Sequence, residues 1–250
     1  MMVYPYFYLF NEYKDQRTFI LAKKTDLNKQ KMKRFYYFLL VFVLSTVFVK
    51  AQQKPAFWKE IQEFKHKDSI SMPPKSGIVF VGSSSFEKWK DLETVFKDYR
   101  AINRGFGGST LAQANYYIAD LVYPYQPRQV VIYSGENDIA TDGQSALETL
   151  NRFATFFNNI RLKYPEVPVL YISIKDSPSR TKHSATNAHT NLLIQEYLQH
   201  YPNTKFLDVN SKMLNKKALR PELFEKDMLH ITSEGYAIWI KEIKPFLVKP

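Results

Sequence analysis

Gly77-Ile78-Val79-Phe80-Val81-Gly82-Ser83-Ser84-Ser85-Phe86 sets the reading of this chain. Four consecutive apolar residues, mostly good strand formers, end at a glycine and three hydroxyl side chains, as when a buried strand hands a small nucleophile to a loop at a sheet edge. The same Gly-Ser-Ser-Ser is also ordinary turn and helix-cap chemistry, because glycine relieves φ and serine oxygens accept from free backbone amides. What decides between the two readings lies further along the chain.

Upstream, Phe57, Trp58, Ile61 and Phe64 recur at helical spacing, and Ser71-Met72-Pro73-Pro74-Lys75-Ser76 stops that helix. Residues 52–76 therefore read as a helix and linker ahead of a domain over 77–250. Downstream, Phe86, Trp89, Leu92 and Phe96 suggest short helical turns over a sheet. Further strands are expected over Tyr99–Asn103, Gln129–Ser134, Val167–Ile174 and Lys205–Val209. The helices between them carry Leu111, Asn115, Ile118 and Val122, then Leu147, Leu150, Ala154, Phe157 and Ile160, then Ala188–Tyr201. A last helix, capped by Thr232 or Ser233, buries Tyr236, Trp239, Ile240, Ile243 and Leu247. Strands alternating with helices imply an α/β fold: a mostly parallel five-stranded sheet covered on both faces. Ligands in such sheets bind beyond the carboxyl ends of the strands. The loops Ser83–Ser85, Gly105–Thr110 and Gly135–Asp138 fall there.

The first fifty residues are of another kind. Met32-Lys33-Arg34 precedes an apolar run from Phe35 to Val49, followed by Lys50-Ala51 and Gln52-Gln53. A basic n-region, a 15-residue h-region and a small residue at the cleavage point read as a secretory signal peptide over 32–51, making the protein secreted or periplasmic. An uncleaved anchor is the competing reading, but the run is short of the ~20 residues a spanning helix needs. A signal peptide starting at Met32 leaves residues 1–31 as a non-native or mis-assigned extension. The formal charge of +11 also shrinks, since residues 52–250 hold 26 basic and 21 acidic residues. That modest +5, with no basic cluster interleaved with aromatics, argues against nucleic acid as a partner. Cysteine is absent, which rules out a disulfide framework and thiolate zinc sites.

The polar loops suit acyl transfer, which needs a nucleophile, a base, a group orienting the base and donors for the oxyanion. Of the five histidines, only His230 has a carboxylate close enough to form a compact motif, Asp227-Met228-Leu229-His230. A turn there can fold the carboxylate onto the far ring nitrogen and fix the tautomer. Gly107-Gly108 lets backbone amides approach a substrate, and Asn137 offers a neutral side-chain donor; a tight turn and an Asx-turn are their plainer readings. Asp138 reads as a carboxylate bracing its loop. His183, His189, Asp227 and His230 are conceivable metal ligands, but no compact ligand spacing links them, and no metal or other cofactor is expected. Arg180-Thr181-Lys182-His183 reads as a solvated loop, with a lid over the site as the other possibility.

Four blocks in order, Gly82-Ser83-Ser84, Asn103-Arg104-Gly105-Phe106-Gly107-Gly108, Gly135-Glu136-Asn137-Asp138 and Asp227-Met228-Leu229-His230, resemble those of the SGNH, or GDSL-type, hydrolases. The resemblance spans residues 77–250 and implies a flavodoxin-like three-layer α/β/α sandwich and metal-free ester hydrolysis through an acyl-enzyme. Carried over by position, it implies Ser84 as nucleophile, His230 as base and Asp227 as the orienting acid. It also implies an oxyanion hole of the Ser84 and Gly108 amides and the Asn137 side chain. The first block departs from the commonest form, with Ser83 and Ser85 where aspartate and leucine are usual. The nucleophile is thus chosen among adjacent serines by register. Phe86 occupies the place of the second glycine of a Gly-x-Ser-x-Gly elbow, which sets the chain apart from the α/β-hydrolases.

The expected function is a secreted serine esterase removing a small acyl group, acetyl foremost, from a carbohydrate or other polar alcohol. Its partner is then a small-molecule or glycan ester, with no stable membrane span after signal cleavage. Lysophospholipid or short-chain lipid hydrolysis on the same fold, a catalytically silent glycan-binding module and acyl transfer to a sugar are the alternatives.

Overall fold

A computed structural model describes residues 21, 23–42 and 54–250. The chain divides into two compact units, Met1–Pro55 and Ala56–Pro250. In the first, residues 23–42 form helix α1, which carries exposed Phe35, Tyr37 and Phe38. The rest of the expected h-region and its cleavage point at Ala51 lie outside the described residues. No described helix is long and apolar enough to cross a membrane.

The second unit is built on five strands, β1 (Ile78–Gly82), β2 (Ala101–Gly105), β3 (Gln129–Tyr133), β4 (Val169–Ile172) and β5 (Thr204–Leu207). They pair in the order β2-β1-β3-β4-β5, every pair parallel. Alternate residues serve opposite faces, as the pleat requires. Val79, Val81, Val130, Ile132 and Tyr171 face one core, filled by Ile61 of α2 (Trp58–Ile70), α5 (Leu111–Tyr116), α6 (Ile118–Leu121), α8 (Ala146–Lys163) and α9 (Ser184–Gln199). Ile78, Phe80, Val131, Tyr133 and Ile172 face the other, filled by α3 (Ser84–Glu87), α4 (Leu92–Val95) and Trp239 and Ile243 of α10 (Ser233–Ile243). Both faces are covered, which is why β1 reads as an unbroken apolar run rather than an alternating one. The three-layer α/β/α architecture is as expected, and the order places the topological switch point between β1 and β3.

Details of the sequence reading shift. The second strand starts at Ala101, because Lys97–Tyr99 makes a 3₁₀ turn and Arg100 is left-handed. In α8 the buried stripe is Thr149, Phe153, Phe156, Phe157 and Ile160, and Leu147 points to solvent. The phenylalanines hold the larger apolar surface, and the Ser145–Glu148 capping box fixes where the helix begins. A hairpin, β6 (Leu214–Asn215) with β7 (Ala218–Leu219), was not expected. Helix α7 (Glu136–Ala140) completes the set and brings the third polar loop to the sheet edge.

Candidate active site

Three loops at the carboxyl ends of β1, β2 and β3, plus the turn before α10, supply the site. Gly82 ends β1 where no larger residue fits: a Cβ there would stand 2.0 Å from the Tyr133 carbonyl oxygen. The Ser83 amide donates to that same carbonyl at 3.1 Å, so the chain leaves the sheet under tight control. Ser83 and Ser85 are buried and Ser84, first residue of α3, is half-buried and open. Tyr236 of α10 donates to the Ser85 carbonyl at 2.8 Å and ties this loop to the element that follows His230.

The Asp227–His230 turn is closed by an antiparallel bridge between Phe224 and Ile231 and by Glu225 N–H donating to the His230 carbonyl at 2.7 Å. Met228 takes a left-handed φ of 55° within it. One carboxylate oxygen of Asp227 accepts from the Leu229 and His230 amides, at 3.0 and 2.9 Å. The other lies 2.5 Å from His230 Nδ1, and His230 Nε2 lies 3.0 Å from Ser84 Oγ. An ionised carboxylate only accepts, so Nδ1 holds the ring proton and Nε2 is left to accept from Ser84. Burial pushes the Asp227 carboxyl up, but the bonds from the ring and the two amides outweigh it and hold it well below the usual carboxylate range. The turn thus gathers Ser84, His230 and Asp227 into one chain of hydrogen bonds.

The second loop runs Phe106–Thr110 over the end of β1, with Phe106 N–H donating to the Gly82 carbonyl at 3.0 Å. Gly108 has a φ of 77°, open to glycine and strained for other residues. Among the described residues, neither Ser84 N–H nor Gly108 N–H has an acceptor within the protein. In the third loop Asn137 is buried; its Nδ2 donates to the Ser109 carbonyl at 3.0 Å, which leaves one N–H of that amide uncommitted. Asp138 braces the loops as expected: it accepts from the Leu111 amide at 2.9 Å and pairs with Arg152 at 2.8 Å. Burial raises its carboxyl against the pull of those two partners.

Two groups were missed by the sequence reading. Arg180, expected in a solvated loop, instead donates from Nη1 to Asn137 Oδ1 at 3.0 Å and to Glu136 Oε1 at 3.2 Å. Glu136 is buried, and its other oxygen accepts from Tyr133 and from Lys175, itself 1% exposed, at 2.7 and 3.1 Å. Burial pushes the Glu136 carboxyl up, yet the two cations and Tyr133 bring it below its ordinary value. The one available signal was position: residues 175–183 follow β4 and lie at the same sheet edge. Of the histidines weighed as metal ligands, His230 is taken up by Asp227 and Ser84, and no group of three or more candidate ligands occurs among the described residues.

Comparison with known proteins bears on the family and the fold. No curated protein sequence matches the chain. Among solved structures it is similar to an acylhydrolase candidate from Bacteroides fragilis, 25% identical, covering 78% of this chain and 98% of that one at a TM-score of 0.67. A GDSL-like lipase from Bacteroides thetaiotaomicron is 23% identical over 75% of this chain and 96% of that one, with a TM-score of 0.62. A family 3 carbohydrate esterase from Clostridium thermocellum is 17% identical over 69% and 97%, with a TM-score of 0.57, and shares the fold. The model of one family matches residues 69–238, which takes in all four sequence blocks, and the chain accordingly belongs to the GDSL-like lipase/acylhydrolase family of hydrolases.

Proposed function

We propose that this protein is an exported serine esterase that removes a small acyl group, acetyl foremost, from a polar alcohol such as a carbohydrate. The observation that carries the reading is the continuous relay from Ser84 Oγ through His230 to Asp227, at 3.0 and 2.5 Å. In the first half-reaction Nε2 takes the Ser84 proton as Oγ attacks the ester carbonyl, and Asp227 stabilises the imidazolium. The oxyanion is met by the Ser84 and Gly108 amides and the uncommitted Asn137 N–H, each worth about 3–4 kcal/mol in the transition state. His230 then protonates the leaving alkoxide, and water activated by the same nitrogen resolves the acyl-enzyme.

A cavity of about 510 Å³ lies beside His230 and Asp227. Its walls are mixed: Lys88, Lys90, Asp91, Glu225 and Ser233 can hydrogen-bond the hydroxyl groups of a polar alcohol, and Trp89, Ile231, Tyr236 and Ile240 offer apolar surface. Export is proposed from the basic and apolar segment at Met32–Val49.

Hydrolysis of p-nitrophenyl acetate, butyrate and octanoate by wild type, Ser84→Ala and His230→Ala tests the reading. The acetate should be turned over best, and both variants should lose at least about a hundredfold. A preference for octanoate would contradict the small acyl group. An equal slow background in all three proteins would contradict catalysis, and glycan arrays would then probe binding alone.

A further inference from the structure

We propose that Arg180 is a positioning residue that fixes the orientation of the Asn137 amide, so that its N–H and not its oxygen faces the substrate. This rests on the esterase reading above and adds a residue that neither the sequence blocks nor that reading contains. A primary amide has nearly the same shape in its two flipped orientations, but only one presents a donor to an oxyanion; the other presents a repelling oxygen. The partners of Asn137 select between them by chemistry. Arg180 Nη1, which can only donate, sits 3.0 Å from Oδ1, and the Ser109 carbonyl, which can only accept, sits 3.0 Å from Nδ2. Flipping the amide would break both bonds and set donor against donor and oxygen against oxygen inside a buried site.

Arg180 is itself held. Its Nη1 is shared with Glu136 Oε1 at 3.2 Å, and Glu136 is anchored by Lys175 and Tyr133. The segment is pinned next door, where Ser179 donates from its amide and its hydroxyl to the Met228 carbonyl at 3.0 and 2.9 Å. Met228 belongs to the turn that carries His230, so one segment, Pro178–His183, touches both the oxyanion side and the base side of the site. A cation on Oδ1 also polarises the amide and makes the remaining N–H a better donor.

The test is a double-mutant cycle on the full chain, with kcat and KM for p-nitrophenyl acetate measured for wild type, Asn137→Ala, Arg180→Met, the double variant, Arg180→Lys and Ser84→Ala. Asn137→Ala should lower kcat about 10²- to 10³-fold. Arg180→Met should lower kcat about 10- to 100-fold with KM within about twofold, because the group it steers acts in the transition state. Arg180→Lys should recover part of that loss, since an ammonium can still donate to Oδ1. In the Asn137→Ala background Arg180→Met should cost less than about threefold, as nothing remains to be steered. Equal loss in both backgrounds would overturn the proposal and mark Arg180 as a fold or substrate contact, as would a change in KM alone. Wild-type kinetics in Arg180→Met would overturn it as well. If wild type itself matches Ser84→Ala, the esterase reading fails and this proposal falls with it, a result recognisable because Asn137→Ala then changes nothing either.

Discussion

Lys175→Met isolates the charge cluster beneath the oxyanion side of the site. The substitution keeps side-chain length and removes an ammonium that is 1% exposed and 3.1 Å from Glu136 Oε2. At an effective dielectric of about 20 that contact is worth roughly 5 kcal/mol of gross attraction. Breaking one side of a buried pair costs about 3–5 kcal/mol, because the surviving charge stays buried. Here Arg180, 3.2 Å from Oε1, and the Tyr133 hydroxyl remain as partners, which places the loss near the low end, about 3 kcal/mol. For a domain of this size that lowers Tm by about 6–12 °C. The pH dependence has a definite sign. In wild type the Glu136 carboxyl lies below its ordinary 4.5, so its contribution is fully present above that pH and is lost as pH falls through the folded value. Removing Lys175 leaves burial less opposed, so the variant's carboxyl rises and protonates sooner. Thermal unfolding followed by circular dichroism should show the gap between the two proteins widest at pH 7 and narrower at pH 4. A gap under about 2 °C at pH 7, or one that does not change with pH, would show that Lys175 does not hold the Glu136 charge in the folded protein.

Other outcomes follow from single contacts. Gly82→Ala places a Cβ 2.0 Å from the Tyr133 carbonyl at the carboxyl ends of β1 and β3 and should cost about 3 kcal/mol or more in urea unfolding; a wild-type midpoint would contradict the packing. Asp227→Asn should lower kcat by about a hundredfold or more, since the amide no longer holds the proton on Nδ1. The stability that Asp227 lends is present above its ordinary 3.8 and disappears as pH falls through its lower folded value, so the difference in Tm between wild type and Asp227→Asn should narrow as the pH is taken below 3.8. Gly108→Ala, at a φ of 77°, should reduce kcat by reorienting the loop's amide, and unchanged kinetics would argue against Gly108 N–H as a donor.

How much of this was legible in the sequence depended on how local each feature is. The strand ending at Gly82 could be read from its own apolar run, and the Asp227-x-x-His230 turn because carboxylate and ring lie three residues apart. The choice among three serines was a matter of burial: Ser83 and Ser85 point inward and Ser84 does not, which a run of identical residues cannot display. Arg180 and Asn137 are 43 residues apart and meet only because β3 and β4 are neighbours in the sheet. The hairpin between β6 and β7 turns through Lys216 and Lys217, both at positive φ. Asn-Gly would have announced that turn and Lys-Lys does not. In α8 leucines and phenylalanines compete for the buried stripe, and the larger apolar surface of Phe153, Phe156 and Phe157 turns their side to the sheet and leaves Leu147 in solvent.

We propose that His230 makes Ser84 a reactive nucleophile. The most direct test is covalent labelling by a fluorophosphonate, followed by intact mass and peptide mapping, for wild type, Ser84→Ala and His230→Ala. One adduct per chain on Ser84 in wild type, none in Ser84→Ala and labelling slowed by at least about a hundredfold in His230→Ala is the predicted result. An adduct on Ser83, Ser85 or any other residue, or labelling at the wild-type rate without His230, would contradict the account.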